Sequence, residues 1–205
     1  MCFEVYMKFY EENLPQGYVE AKTVDATNKR TGIILNLAAL ALSAATFFAL
    51  WYSFGMSWQT LTQQAKDVAV MLAATLCFVV CTLAYLVCHE LVHGVFYKLF
   101  TKRKLTFGLT FTCAYCGVPD VFVYRTAALF AVIAPFVLFS VLLILPVILV
   151  HSAIWRAAAV LLFALHVGGC VGDLYVFGLL LFRFKKGTLV RDTGPKQTLY
   201  VRQEI

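Results

Sequence analysis

Charge is scarce in this chain. Only 14% of its 205 residues are charged while 61% are apolar, against about 25% and about 45–50% in soluble domains. That balance excludes disorder, a coiled coil, collagen and an ordinary cytosolic enzyme. At this length there is also no room for a second globular domain of typical size. The seven cysteines are odd in number and four lie within apolar runs, which argues against a disulfide framework. Cys113 and Cys116 form a lone CxxC with no second pair, and small apolar packing is the better reading of it than zinc. A cleaved signal peptide is not evident either. The segment 1–32 carries Glu4, Glu11, Glu12, Glu20 and Asp25, where a signal would have a basic start and an early apolar core.

What is present is grouped. Ile33–Phe54, Val68–Cys88 and Thr126–Val150 are continuous runs without a charge, and the second stays largely apolar to Phe100. Ala157–Phe182 is a fourth such run with a single acid, Asp173. A bilayer core needs about 20 apolar residues per helix, and each run reaches that length. Backbone polarity admits only helices or closed barrels there. Runs this long and continuous are helices. The expected fold is an all-α membrane protein with four transmembrane helices. Residues 1–32 form an N-terminal segment, 33–182 the membrane domain and 183–205 a tail.

Orientation follows from the basic residues. Of 17 Lys and Arg, all but two lie in residues 1–32, between the second and third runs, or in the tail; only Lys66 and Arg156 lie on the other side. Both termini and the middle loop are therefore expected in the cytoplasm of a multi-pass cell-membrane protein. The basic charges flank helices and form no single stripe, which argues against nucleic acid as a partner.

The ionisable residues inside the apolar runs carry the functional argument, because each is expensive there. Of 11 acids only Glu90 and Asp173 qualify, and of four histidines His89, His93 and His166. His89-Glu90-Leu91-Val92-His93 puts two imidazoles one helical turn apart on one face, where both can ligate a metal. Glu90 lies about 100° round the helix, placed to take a proton from water without occupying the metal. This is the H-E-x-x-H arrangement of zinc peptidases.

A catalytic zinc usually has a third protein ligand. Phe96 and Leu99 occupy the places where the metzincin pattern has Gly and His, and no Glu occurs between 90 and 204. Asp173, His166 and Asp120 remain. Asp173 lies nine residues before Phe182 and His93 seven before Phe100, so at about 1.5 Å per residue their depths agree within about 3 Å. Asp173 fits best. Gly168 and Gly172 have the spacing that lets membrane helices approach closely. His166 reads either as a group supporting a ligand or orienting substrate, or equally as a core histidine. Pro135 lies at a similar depth and releases a backbone carbonyl.

His89-Glu90-Leu91-Val92-His93-Gly94, followed by a late Gly172-Asp173 in a small four-helix membrane protein, resembles the putative zincin peptidases of bacteria, themselves similar to site-2 proteases. Leu14-Pro15-Gln16-Gly17-Tyr18 resembles that family as well. The resemblance implies a zinc site ligated by His89, His93 and Asp173, with Glu90 as general base. The chain departs from site-2 proteases in having Leu174 after the late Asp and no Asn-x-x-Pro before it.

Leu105, Phe107, Leu109, Phe111 and Cys113 alternate with Thr106, Gly108, Thr110 and Thr112, a strand pattern. A turn at Gly117–Asp120 leading into Val121–Tyr124 completes an expected cytoplasmic hairpin between helices 2 and 3. The first ten residues alternate similarly and are candidates to pair with it. An exposed edge there suits an unwound substrate added as a strand. The function expected is zinc-dependent hydrolysis of peptide bonds in membrane-associated substrates. The alternative is a membrane protein that binds or passes a metal without catalysis.

Overall fold

The structure is a computed structural model that describes residues 8–110 and 113–203. In chain order these form strands β1 (Tyr10–Glu11) and β2 (Tyr18–Asp25), helices α1 (Lys29–Ser53), α2 (Trp58–Gln64) and α3 (Val68–Thr101), and strands β3 (Thr106–Leu109), β4 (Ala114–Gly117) and β5 (Phe122–Tyr124). Then come α4 (Arg125–Leu149), α5 (Ala153–Gly169), α6 (Val171–Gly178), a π-helical turn at Leu179–Arg183, and strands β6 (Leu189–Asp192) and β7 (Lys196–Arg202). Four helical stretches are long and apolar enough to cross a membrane: Lys29–Ser53, Val68–Thr101, Arg125–Leu149 and Ala153–Arg183. They coincide with the four apolar runs.

The described residues divide into two compact units, each gathered from separated segments. The first takes its residues from 1–32, 90–134 and 173–205. Its centre is an antiparallel sheet of order β1-β5-β6-β7-β2. β2 and β7 pair along most of their length, Tyr18 with Arg202 through Asp25 with Lys196, with a bulge between Glu20 and Lys22. Alternation sends Val123, Val190 and Leu199 inward, where they pack with Tyr97, Ala128, Val176 and Leu180 in one buried cluster. Asn28 caps α1 by accepting hydrogen bonds from the backbone N–H groups of Arg30 and Thr31 at 3.1 and 3.3 Å.

This sheet corrects the all-α expectation. Its strands come from the N-terminal segment, the middle loop and the tail, and each is too short or too charged to stand out alone. The hairpin is corrected too. β3 pairs with β4, Thr106 with Gly117 through Leu109 with Ala114, so Gly117 lies within the paired strands and the expected turn at 117–120 is not the hairpin's. β5 leaves that pair for the larger sheet, lying between β1 and β6. β1 does pair with β5, Tyr10 opposite Val123, while residues 1–7, and Phe111 and Thr112, fall outside the described residues.

The second unit comprises 33–89 and 135–172. Asp67 caps α3 by accepting from Ala69 and Val70 N–H at 3.1 and 3.2 Å, and its charge suits the helix N-terminus. Gln64, at the end of α2, caps α5 through the N–H of Ile154 at 3.0 Å. Trp51 is fully buried and stacks on Trp58 at 3.9 Å between ring centroids. A side chain at Gly168 would collide with Ser43 and with the Ala39 carbonyl of α1, whereas nothing lies within 4 Å of one at Gly172. The close approach expected of that pair is therefore carried by Gly168 alone, and it is made to α1.

Candidate metal centre

α3 runs unbroken from Val68 to Thr101, so the H-E-x-x-H segment sits in regular helix. His89 and His93 are one turn apart on one face, and Glu90 is rotated about 100° from His89.

In the first unit His93 is buried, with 7% of its surface exposed. Its Nδ1 lies 2.8 Å from the carbonyl oxygen of Ala131. That carbonyl is four residues before Pro135, which sits inside α4. Proline has no N–H to give it, and the ring pushes it off the helix axis. The Nδ1–H of His93 donates in its place, which fixes the ring and leaves the lone pair on Nε2. Nε2 lies 3.5 Å from Asp173 Oδ1. Asp173 is in the first turn of α6, half-buried like Glu90.

Gly94 follows directly. A side chain there would press on Phe107 Cζ at 2.9 Å, Leu105 Cδ1 at 3.1 Å and Cys116 Sγ at 3.3 Å, so its absence lets the β3–β4 hairpin lie against α3 beside His93. Cys116 is buried, and its thiol is pushed up to about 12 by burial, reinforced by the charges of Asp192 and Glu90. It is a neutral thiol. Among the described residues neither Cys113 nor Cys116 joins a group able to hold a metal. Asp120 is exposed in the turn before β5.

One turn beyond His93, the Tyr97 hydroxyl donates to Asp192 Oδ2 at 2.6 Å. Gly194 N–H and Gln197 Nε2 also donate to this carboxylate, each at 2.8 Å. Burial raises the Asp192 carboxyl to about 6 in spite of those three donors.

In the second unit His89 and His166 flank one tyrosine. The Tyr85 hydroxyl lies 3.1 Å from Nδ1 of His89 and 3.0 Å from Nδ1 of His166. The other ring nitrogen of His166, Nε2, is 3.0 Å from Ser140 Oγ. His89, His166 and Cys170, all buried, also offer ligand atoms within 4.8 Å of one another.

Sequence reasoning does not single out Tyr85, Ser140 or Asp192. Tyr85 carries a signal, since it precedes His89 by four residues and so shares its face. Ser140 and Asp192 carry none.

A family profile described as Putative zincin peptidase matches residues 82–189, just over half of the chain. The chain belongs to the Putative zincin peptidase family. The matched stretch takes in Tyr85, His89, Glu90, His93, Pro135, His166 and Asp173. No curated protein and no solved structure matches the chain.

A zincin family implies zinc, and the residues present fit one. Imidazole nitrogen and carboxylate oxygen are its common ligands. Histidines that bind metal through one nitrogen almost always have the other held by a hydrogen bond, as Nδ1 is in both His89 and His93.

Proposed function

We propose that this protein is a membrane-embedded zinc metallopeptidase in which His89, His93 and Asp173 hold the metal and Glu90 is the general base. The observation that carries the reading is the pairing of His93 with Asp173, which lie in different helices far apart in sequence and 3.5 Å apart in space. His93 belongs to the helix that bears this chain's H-E-x-x-H segment. Family membership supports the chemistry. The membrane setting is supported by the four apolar helical stretches and by surfaces such as Leu37, Leu40, Leu72, Leu76, Leu138 and Leu142, all exposed. A water-soluble chain does not present so much apolar side chain to solvent. The basic bias supports an orientation with both termini in the cytoplasm.

A zinc bound there supplies a Lewis acid for the scissile carbonyl and brings the pKa of water down to about 7. Glu90 accepts the proton of the attacking water and delivers it to the departing amine. Burial of His89 and His93 limits exchange with bulk water. The β3–β4 hairpin, held close to α3 at Gly94, offers an extended peptide the side of β3 that pairs with no strand among the described residues. Phe107 and Leu109 are exposed on that strand, and backbone pairing with substrate follows the usual pattern of strand addition. The substrates expected are membrane proteins or peptides with a segment unwound beside the site.

One observation favours the metal-passing alternative, the second buried donor group His89, His166 and Cys170. Protein reconstituted in liposomes separates the two readings. A peptidase cleaves transmembrane peptides from a library, read by mass spectrometry, and Glu90→Gln keeps its zinc while losing cleavage. A carrier moves zinc across the bilayer, and that flux survives Glu90→Gln.

A further inference from the structure

We propose that Tyr85 and His166 are positioning residues for the metal ligand His89, in a hydrogen-bonded chain that selects the tautomer able to ligate. The inference rests on the zinc reading above and assigns roles to residues outside the ligand set.

The tyrosine hydroxyl has one proton and stands between two imidazole nitrogens of the same kind, Nδ1 of His89 at 3.1 Å and Nδ1 of His166 at 3.0 Å. It can donate to one and must accept from the other. A neutral histidine that ligates through Nε2 carries its proton on Nδ1. His89 therefore donates to the tyrosine oxygen, and the tyrosine O–H points at Nδ1 of His166. His166 then holds its own proton on Nε2, which faces Ser140 Oγ at 3.0 Å. Each of these links has one donor and one acceptor; the Cys170 thiol also lies 3.6 Å from Nδ1 of His166 and is the weaker donor to it. In the reverse direction the proton of His89 sits on Nε2 and occupies the lone pair a metal needs.

Burial gives the chain its strength. Tyr85, His89 and His166 are 7%, 6% and 0% exposed, so no solvent competes for these bonds, and a broken link leaves a polar atom unsatisfied. The aromatic rings of Phe136 and Phe163 pack around His166 with centroids at 5.8 and 6.0 Å, which keeps its imidazole in one orientation.

The test uses the full-length protein in detergent. Metal analysis of the wild type comes first, and a zinc-free wild type would remove the reading on which this inference stands. With zinc present, competition against a fluorescent chelator measures affinity. Tyr85→Phe and His166→Ala are each expected to weaken zinc binding about 10- to 100-fold, the usual cost of losing a partner of a ligating histidine. Because the two act in series, the double variant should be no weaker than the weaker single one. Cys170→Ala should bind zinc within about twofold of the wild type. Ser140→Ala perturbs folding least, and should weaken binding by a smaller factor in the same direction. Wild-type affinity in Tyr85→Phe would overturn the proposal, as would fully additive losses in the double variant. A loss in Cys170→Ala as deep as in His166→Ala would also overturn it, by making His166 a ligand of the metal.

Discussion

Nδ1 of His93 lies 2.8 Å from the carbonyl oxygen of Ala131, which Pro135 leaves without its helical donor. A proline inside an apolar helix thus becomes an anchor for an imidazole on another helix. Replacing Pro135 with Ala restores an N–H that competes for the same carbonyl. Zinc affinity should fall several-fold in the chelator assay, while the protein melts no lower than wild type because a helical hydrogen bond is regained.

Gly168 and Gly172 should behave oppositely. A side chain at Gly168 meets Ser43 and the backbone of α1, and one at Gly172 meets nothing within 4 Å. Gly168→Val should cost about 1–3 kcal/mol, the usual penalty of overpacking, and lower the melting temperature in detergent. Gly172→Ala should leave it unchanged or slightly raised.

Asp192 predicts a pH dependence of stability. Its folded-state carboxyl titrates at about 6, raised by burial above the ordinary 3.8. Between about pH 4 and pH 6 the native protein keeps a proton that the unfolded chain has released. Native binding of more protons means that stability falls as pH rises through this window and levels off above it. The whole effect is on the order of 3 kcal/mol at most. Asp192→Asn cannot ionise, so its stability relative to wild type should improve steadily from pH 4 to pH 6.5 in melting experiments. A constant difference across that range would contradict the assignment.

Cys116 is a buried neutral thiol beside Gly94, outside the groups able to hold a metal among the described residues. Cys113→Ser with Cys116→Ala should retain the full zinc content of wild type by metal analysis. Loss of zinc in that double variant would place a ligand on the hairpin.

The helices were legible because a continuous apolar run needs no knowledge of the rest of the chain. The sheet was not. β2 and β7 come from opposite ends of the chain and carry Glu20, Lys22, Lys196 and Arg202, so neither reads as a buried strand until its partner is known. The β3 alternation was visible, but a period-two pattern across 105–113 cannot say where the strand folds back. At the site, His89, Glu90 and His93 stood out because their spacing matches one helical turn, and Asp173 because acids are so rare in the apolar runs. Pro135 revealed that a carbonyl is released; which donor faces it depends on packing. Tyr85 stayed hidden because one tyrosine in an apolar helix is ordinary until both imidazoles are seen beside it.

The most direct measurement is the metal content of the detergent-purified protein, by mass spectrometry, for wild type, His89→Ala, His93→Ala and Asp173→Ala. About one zinc per chain in the wild type, lost from all three variants as they retain their helical content, is the result the three-ligand site predicts. A wild type that takes up no zinc after loading, or an Asp173→Ala protein that keeps it undiminished, would contradict the account.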